Sequence, residues 1–302
     1  MPACPINLPM SWRKILRLIP LRRFREPAPR VAVLRLAGVI GSMGPLRQGL
    51  TGFGLERTIA RAFEIPDLAA VALSVNSPGG SPVQSALIAQ RIRDLAAEKD
   101  VKLLAFCEDV AASGGYWLAA AADEIFVQDS SIIGSIGVIS SGFGFNGLIE
   151  RFGVERRVHT AGEKKSMLDP FKPEDPADVE RLEALQQEIH EHFRAWVTER
   201  RGPKLAAEPE TLFSGEFWTG GKAIELGLAD GKGELRAVLR ERYGDKVKIV
   251  PVRQRRSWLV ERFGAESDAL GHAGTPSFLP TTWAADLLAA VEERSLWSRF
   301  GL

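Results

Sequence analysis

The sequence predicts an α/β fold in which helices cover a largely parallel β-sheet. Apolar segments of strand length alternate with segments of helical character, and turns rich in glycine, serine and proline separate them. This alternation is typical of parallel sheets built from βαβ units. The predicted strands are 31–36, 69–75, 101–107 and 124–127, and the predicted helices between them are 56–63, 82–97 and 114–122.

Composition narrows the classes of function. A chain of 302 residues, of which 45% are hydrophobic and 25% charged, is expected to form an ordinary globular protein with a sizeable core. Because the net charge is only +1, nothing points to nucleic acid as a partner. The two cysteines, Cys4 and Cys107, lie in unlike surroundings, and neither they nor the four histidines have the spacing of a metal site. We therefore expect no disulfide bond, no metal and no nucleic-acid partner.

The middle of the chain, residues 128–176, holds less regular structure. An apolar turn region with glycine hinges covers 133–138, and a short helix is predicted over 146–152. Residues 154–160 alternate as a strand does, and 161–175 form a polar loop.

A long helix follows this loop. Asp175 is a suitable N-cap with Pro176 in the first helical position, and Gly202 ends the helix. An apolar stripe at three- and four-residue spacing predicts packing, and we assign the same role to His190 and His192. The stripe consists of Val179, Leu182, Leu185, Ile189, Phe193 and Trp196.

Three regions follow from these patterns: an N-terminal segment (1–29), a central domain (30–253) and a C-terminal helical extension (254–302). Residues 11–25 combine six cations with bulky apolar side chains and contain no acid, which favours contact with an anionic membrane surface. A tail, or a helix docked on a neighbouring subunit, is the alternative. No spanning helix is predicted. The segment also lacks the uninterrupted apolar region of a signal peptide, and its cations suit the anionic inner leaflet, so we expect a cytoplasmic protein that is peripheral at the inner face of the membrane, with an extracytoplasmic location left open. The last helix follows a linker (264–280), and we expect it to dock onto another subunit.

The best candidate for chemistry is Ser113, on the turn between the strand at 101–107 and the helix at 114–122. Free backbone N–H groups and the positive end of the helix dipole lie at such a position, which favours a developing oxyanion. Gly114 and Gly115 follow and leave room for a substrate backbone. The simpler interpretation is that Ser113 only caps the helix.

A serine nucleophile needs a base, and the residues alone leave its identity open. His159 has no acid placed to orient it, and Glu108 and Asp109 are interpreted as turn residues. Lys164 and Lys165 lie in a polar loop, where a solvated surface lysine is the simpler interpretation. A lysine serves as a base only when burial or nearby dipoles favour its neutral form.

A second glycine turn comes after the strand at 69–75. Its residues Pro78, Gly79 and Gly80 present backbone N–H groups that no side chain obstructs, and an extended peptide could pair with this edge. A simple tight turn is the alternative.

Taken together, four motifs resemble the signal peptide peptidase A branch of the S49 serine peptidases. They are Asn-Ser-Pro-Gly-Gly at 76–80, Ala-Ser-Gly-Gly-Tyr at 112–116, Gly-Ser-Ile-Gly-Val at 134–138, and Trp-Thr-Gly through Gly-Leu-Ala-Asp at 218–230. They occur in the family's order, and the resemblance extends from about residue 31 to about residue 252. It implies a ClpP/crotonase-like spiral of ββα units, here with the long helix and a C-terminal helical extension.

The resemblance also implies roles for individual residues. Ser113 is the nucleophile, Lys165 the general base, and Ser135 the hydroxyl that orients the lysine. The backbone amides of Gly80 and Gly114 form the oxyanion hole. Candidates for the substrate groove are Gly79, Gly115, Tyr116 and Ile136.

Further implications concern partners and substrates. In this family's short forms Ser113 and Lys165 are expected to meet across a subunit boundary in a ring-shaped homo-oligomer, with Lys164 as the rival base. No cofactor is implied, and the substrates are peptides such as released signal peptides or membrane-derived fragments. A crotonase-type acyl-CoA enzyme, or a catalytically silent scaffold that binds peptides or membrane proteins, is the alternative.

Overall fold

A computed structural model describes most of the predicted central domain and the end of the chain. The N-terminal segment at 11–25 and the linker at 264–280 lie outside the described residues, so the predictions made for them stay predictions. Among the described residues, no helix combines the length and the apolar character needed to cross a membrane. The described ranges are 28–42, 49–162, 164–252 and 283–302.

One mixed sheet organises the domain. Its strand order is β6-β5-β3-β2-β1-β8, and β4 pairs with β3 and β7. All described pairs are parallel except β5 with β6, so the largely parallel α/β sheet predicted from the sequence is confirmed. The strands are β1 (Arg30–Ala37), β2 (Leu68–Ser77), β3 (Lys102–Ala112), β4 (Glu124–Val127), β5 (Ile132–Gly134), β6 (Phe217–Thr219), β7 (Gly231–Lys232) and β8 (Lys248–Val252).

The helices begin where the sequence places caps. The side chain of Ser81 accepts a hydrogen bond from the third residue of its helix, and Asp175 caps the long helix with Pro176 in first position. The helices are α1 (Gly52–Phe63), α2 (Pro82–Lys99), α3 (Gly114–Ala119), α4 (Asn146–Arg151), α5 (Pro176–Arg201), α6 (Pro209–Leu212), α7 (Gly220–Glu225), α8 (Leu235–Tyr243) and α9 (Trp283–Ser298).

Both faces of the sheet are buried. On one face the larger core packs residues of α1, α2 and α3 against β1, β2 and β3. On the other face, Val238 and Leu239 of α8 pack against Phe106 and Phe126, whose rings stack 5.2 Å apart. Burial on both faces explains the continuous apolar runs of these strands.

Strand β3 is longer than predicted, and its extension carries the chain to the site. The prediction ended the strand at residue 107 and took Glu108 and Asp109 as turn residues, which is wrong. On β2, the hydroxyl of Ser74 donates to the carboxylate of Glu108, and the side-chain amide of Asn76 donates to that of Asp109. Both acids therefore stay beside β2 where the register between β2 and β3 shifts. The second half of β3 then pairs with β5.

Two further expectations are corrected. Residues 154–160 are exposed and form no strand, because no described segment pairs with them. The apolar stripe of α5 packs only in its C-terminal half, where Phe193 stacks on Trp117 with ring centroids 4.6 Å apart. In the N-terminal half Leu185 is 46% exposed.

The motif that ends in Asp230 is connected to α3 by a network of hydrogen bonds. Arg201, 1% exposed, donates to the Asp230 carboxylate at 2.6 Å and to the carbonyl of Gly227. Burial raises the pKa of Asp230, but hydrogen bonds from Arg201 and Lys204 outweigh it, so the pKa lies below its usual range. The hydroxyl of Tyr116, on α3, donates to the carbonyl of Leu228 at 2.9 Å. This network therefore ties α3 to a segment more than a hundred residues away.

The end of the chain packs on the domain itself. Phe300, which follows α9, is buried against Val110 and Ala112 of β3, with Trp297 beside it. The last residues of the extension thus contact β3 of their own chain. Contact of the remaining helix with another subunit stays a prediction.

Candidate active site

Ser113 has a strained backbone at the junction of β3 and α3. Its φ of 54° and ψ of −124° are unfavourable for a residue with a side chain. Two backbone hydrogen bonds stabilise this conformation. The Ser113 N–H donates to the carbonyl of Gly134 at 2.7 Å, and the Ser113 carbonyl accepts from the N–H of Trp117 at 3.0 Å. The hydroxyl makes no capping hydrogen bond, whereas that of Ser81 at the start of α2 does. The interpretation of Ser113 as a simple N-cap is therefore wrong.

The glycine turn after β2 lies directly against this serine. A Cβ built on Gly79 would lie 2.8 Å from both the Gly114 nitrogen and the Ser113 Cβ, so only glycine fits. The turn is held by Ile40, which donates its N–H to the carbonyl of Gly79 at 2.9 Å and accepts from the N–H of Ser81 at 2.8 Å. Two turns that are distant in sequence thus meet at one point.

Two backbone donors are left without an acceptor here. Within the described part of the chain, the N–H groups of Gly80 and Gly114 donate to no protein group. A Cβ on Gly80 would lie 2.0 Å from the carbonyl oxygen of Ile40, so this position also requires glycine. Unpaired backbone N–H groups beside a serine hydroxyl can bind the oxyanion of an acyl-transfer reaction.

Ser135 lies on the neighbouring strand end and is also strained. Its φ is 52°, and its N–H donates to the carbonyl of Glu216 at 2.6 Å. Pairing of Ala112 with Gly134 places β5 beside the end of β3. Ser135 and Ser113 therefore line the same cavity.

That cavity has a volume of about 440 Å³ and is mostly polar. Glu183 and His190 reach it from α5, and Arg299 reaches it from the residue after α9. The Nε2 of His190 lies 3.1 Å from the carbonyl oxygen of Ile136 and anchors the turn after Ser135. Sequence reasoning assigned His190 to packing and missed Arg299. For His190 the sequence did contain a signal. Glu183 and His190 lie seven residues apart, which places them on the same face of the long helix.

Three groove candidates are corrected. Tyr116 and Ile136 are fully buried in the core, and Gly115 is buried where a Cβ would lie 2.3 Å from the carbonyl oxygen of Ser77. Tyr116 and Ile136 belong to the main core, and none of the three is among the residues that line the cavity. Gly79, by contrast, lies against Ser113.

Lys165 is exposed on an arm, which we define as residues 139–175. It is not among the residues that line the Ser113 cavity. The neighbouring Lys164 lies 3.9 Å from the carboxylate of Asp178. The assignment of Lys165 as the base stays a prediction.

Comparison with known proteins identifies the domain. The sequence model of peptidase family S49 matches residues 95–247, a range that contains Ser113, Ser135 and Lys165. The chain belongs to peptidase family S49. Three of the four motifs, at 112–116, 134–138 and 218–230, lie within the matched residues.

Relatives of this S49 chain carry different names. A protein from Enterococcus faecium, named putative signal peptide peptidase SppA, is 33% identical over 53% of this chain and 46% of its own length. A protein from Brucella abortus, named Na⁺/H⁺ antiporter NhaA, is 49% identical over 95% of this chain but only 39% of its own length. Because this chain spans less than half of either relative, neither name transfers to it as a whole.

A solved structure supports the fold of the S49 domain. A mutant of the 1510-N membrane-bound stomatin-specific protease, in complex with a substrate peptide, superimposes with a TM-score of 0.50. It covers 80% of this chain and all of its own, at 16% sequence identity. At this level of identity the likeness shows that the two chains share a fold, in agreement with the α/β fold predicted from the sequence.

Proposed function

We propose that this S49 chain is a serine endopeptidase with Ser113 as its nucleophile. The observation that carries the proposal is the strained, uncapped Ser113 beside the unpaired N–H groups of Gly80 and Gly114. A helix cap has no need of this arrangement, whereas an acyl-transfer site needs both the free hydroxyl and the oxyanion donors. Family membership favours a peptidase over an acyl-CoA enzyme.

The proposed base is Lys165 of a neighbouring copy in a ring-shaped homo-oligomer. The arm that carries Lys165 exposes large apolar side chains, with Phe143 80% and Phe152 73% exposed. Apolar patches of this kind mark interaction surfaces. Enclosure between subunits also disfavours the charged form of a lysine, which is the condition for its use as a base.

The reaction then follows from these positions. Ser113 Oγ attacks the scissile carbonyl while the neutral Lys165, oriented by Ser135, takes the hydroxyl proton. The Gly80 and Gly114 N–H groups hold the oxyanion. Lys165 returns the proton to the leaving amine, and a water activated by the same lysine hydrolyses the acyl-enzyme.

Released signal peptides or membrane-derived fragments are the proposed substrates. The name of the Enterococcus relative supports this class. Peripheral contact of residues 11–25 with the inner face of the membrane would place the enzyme near such peptides. The catalytically silent scaffold is the alternative that an experiment must separate.

A fluorophosphonate probe provides that test, since it reacts with serine hydroxyls that are activated for attack. We expect the full chain to be labelled, with the probe on the peptide that contains Ser113 after digestion and mass spectrometry. A silent scaffold would remain unlabelled, and label on another serine would overturn the assignment of the nucleophile.

The Gly79→Ala variant tests the oxyanion turn. Its methyl group would displace the Gly114 N–H, so kcat/KM for a fluorogenic peptide should fall by about a hundredfold. Gly38→Ala is the matched control, because Gly38 has nearly the same φ (106° against 103°) but open space around its Cβ. An equal loss in both variants would attribute the effect to backbone strain and not to the oxyanion hole.

A further inference from the structure

We propose that the end of the chain forms one wall of the substrate cavity and that Arg299 there selects substrates with a carboxylate group. The inference rests on the proposed peptidase function and adds a specificity-determining residue to it. Arg299 follows α9 and lines the cavity that contains Ser113 and Ser135.

Phe300 anchors this wall beside the nucleophile. It is 8% exposed and packs on Val110 and Ala112, the latter being the residue before Ser113. Its ring also meets that of Phe217 edge-on, with centroids 5.1 Å apart. Phe217 pairs with Gly134, whose carbonyl accepts the N–H of Ser113. One buried ring therefore contacts the strand ends that position both serines.

Next to this anchor, Arg299 lines the cavity. Within the described residues the Arg299 guanidinium forms no ion pair and no hydrogen bond, and it lies 6.0 Å from the centroid of the Phe300 ring. A guanidinium carries five N–H donors in a planar fork that matches a carboxylate. A carboxylate from a bound peptide is the chemistry that this group fits.

The other charges that face the cavity decide where such a carboxylate can sit. Glu183 also lines it, from α5, and has no ion-pair partner among the described residues. A substrate carboxylate is therefore attracted at the Arg299 side and repelled at the Glu183 side. The two residues together should make the preference specific to one position of the peptide.

The test begins with the full chain and a denatured casein digest, in which mass spectrometry maps the bonds that are cleaved. Paired fluorogenic peptides based on those sites then carry Glu or Gln at each flanking position in turn. We expect one position at which Glu raises kcat/KM by about three- to fivefold, a modest effect because Arg299 is exposed to solvent and ions. In Arg299→Gln the preference should disappear, and in Arg299→Glu it should reverse.

Arg294→Gln is the matched control, since Arg294 is exposed on α9, shortly before Arg299, and is not among the residues that line the cavity. It should keep the preference for Glu, and Glu183→Gln should increase it. The inference is overturned if the parent enzyme shows no such position, if the preference survives in Arg299→Gln, or if Arg294→Gln removes it equally. Fluorophosphonate labelling of the same samples separates these outcomes from failure of the peptidase function, which would abolish labelling and cleavage of every peptide.

Discussion

Replacement of Ser113 with alanine is expected to lower kcat/KM for peptide cleavage by at least about a thousandfold. The variant loses the oxygen that forms the acyl-enzyme, and no described hydroxyl can take its place at the strained junction of β3 and α3. Folding should be little changed, because the hydroxyl makes no capping hydrogen bond and alanine meets the same strain at this φ. Initial rates with a fluorogenic peptide, together with thermal unfolding, measure the two effects separately.

Ser81→Ala is the control for this experiment. Ser81 also begins a helix close to the site, but its side chain caps α2 by accepting the N–H of Gln84. Its loss should cost about 1 kcal/mol of stability and leave kcat within a few-fold of the parent. If Ser113→Ala retained full activity, another group would have to be the nucleophile.

The second large loss of activity is expected for Lys165→Ala. Co-expression of this variant with Ser113→Ala tests whether the lysine comes from a neighbouring subunit. Alone, the variant should lose activity by about a thousandfold or more, since Ser113 has no base. Co-expression with Ser113→Ala should restore cleavage if the two residues meet across a subunit boundary. With random assembly, half of the subunits supply the serine and half of their neighbours supply the lysine, so about a quarter of the sites become active.

Lys164→Ala is the matched control for this pair. Lys164 is adjacent in sequence, but it lies 3.9 Å from the carboxylate of Asp178, so we expect its loss to leave most of the activity. Activity lost in Lys164→Ala and kept in Lys165→Ala would transfer the role of base to Lys164. Mixed samples as inactive as either variant would argue against a shared site.

Local patterns predicted the scaffold well. The strands at 31–36 and 124–127 and the helices at 82–97 and 146–152 appear close to their predicted bounds, because apolar periodicity and caps act within a few residues of sequence. The glycines around Ser113 were also recognised from the sequence. Glycines cluster at a strand end where another backbone segment must approach closely, and this requirement is local.

Prediction failed where contacts between distant segments decide the outcome. Glu108 and Asp109 have the composition of a turn, yet Ser74 and Asn76 of the neighbouring strand hold them in β3. Tyr116 is predicted beside a substrate, but it packs inward because Leu228 offers its hydroxyl an acceptor. These partners lie far along the chain, and no sequence window contains both sides of such a contact.

The sequence by itself determined the α/β order of elements, the family motifs and the position of the candidate nucleophile. Only the tertiary structure decided that the Ser113 hydroxyl makes no capping hydrogen bond and that His190 and Arg299 line the same cavity as Ser113. The physical reason is that a sequence motif reflects what the local backbone requires, such as glycine at a position where two turns are in contact. A cavity, by contrast, is assembled from side chains that burial brings together from distant parts of the chain.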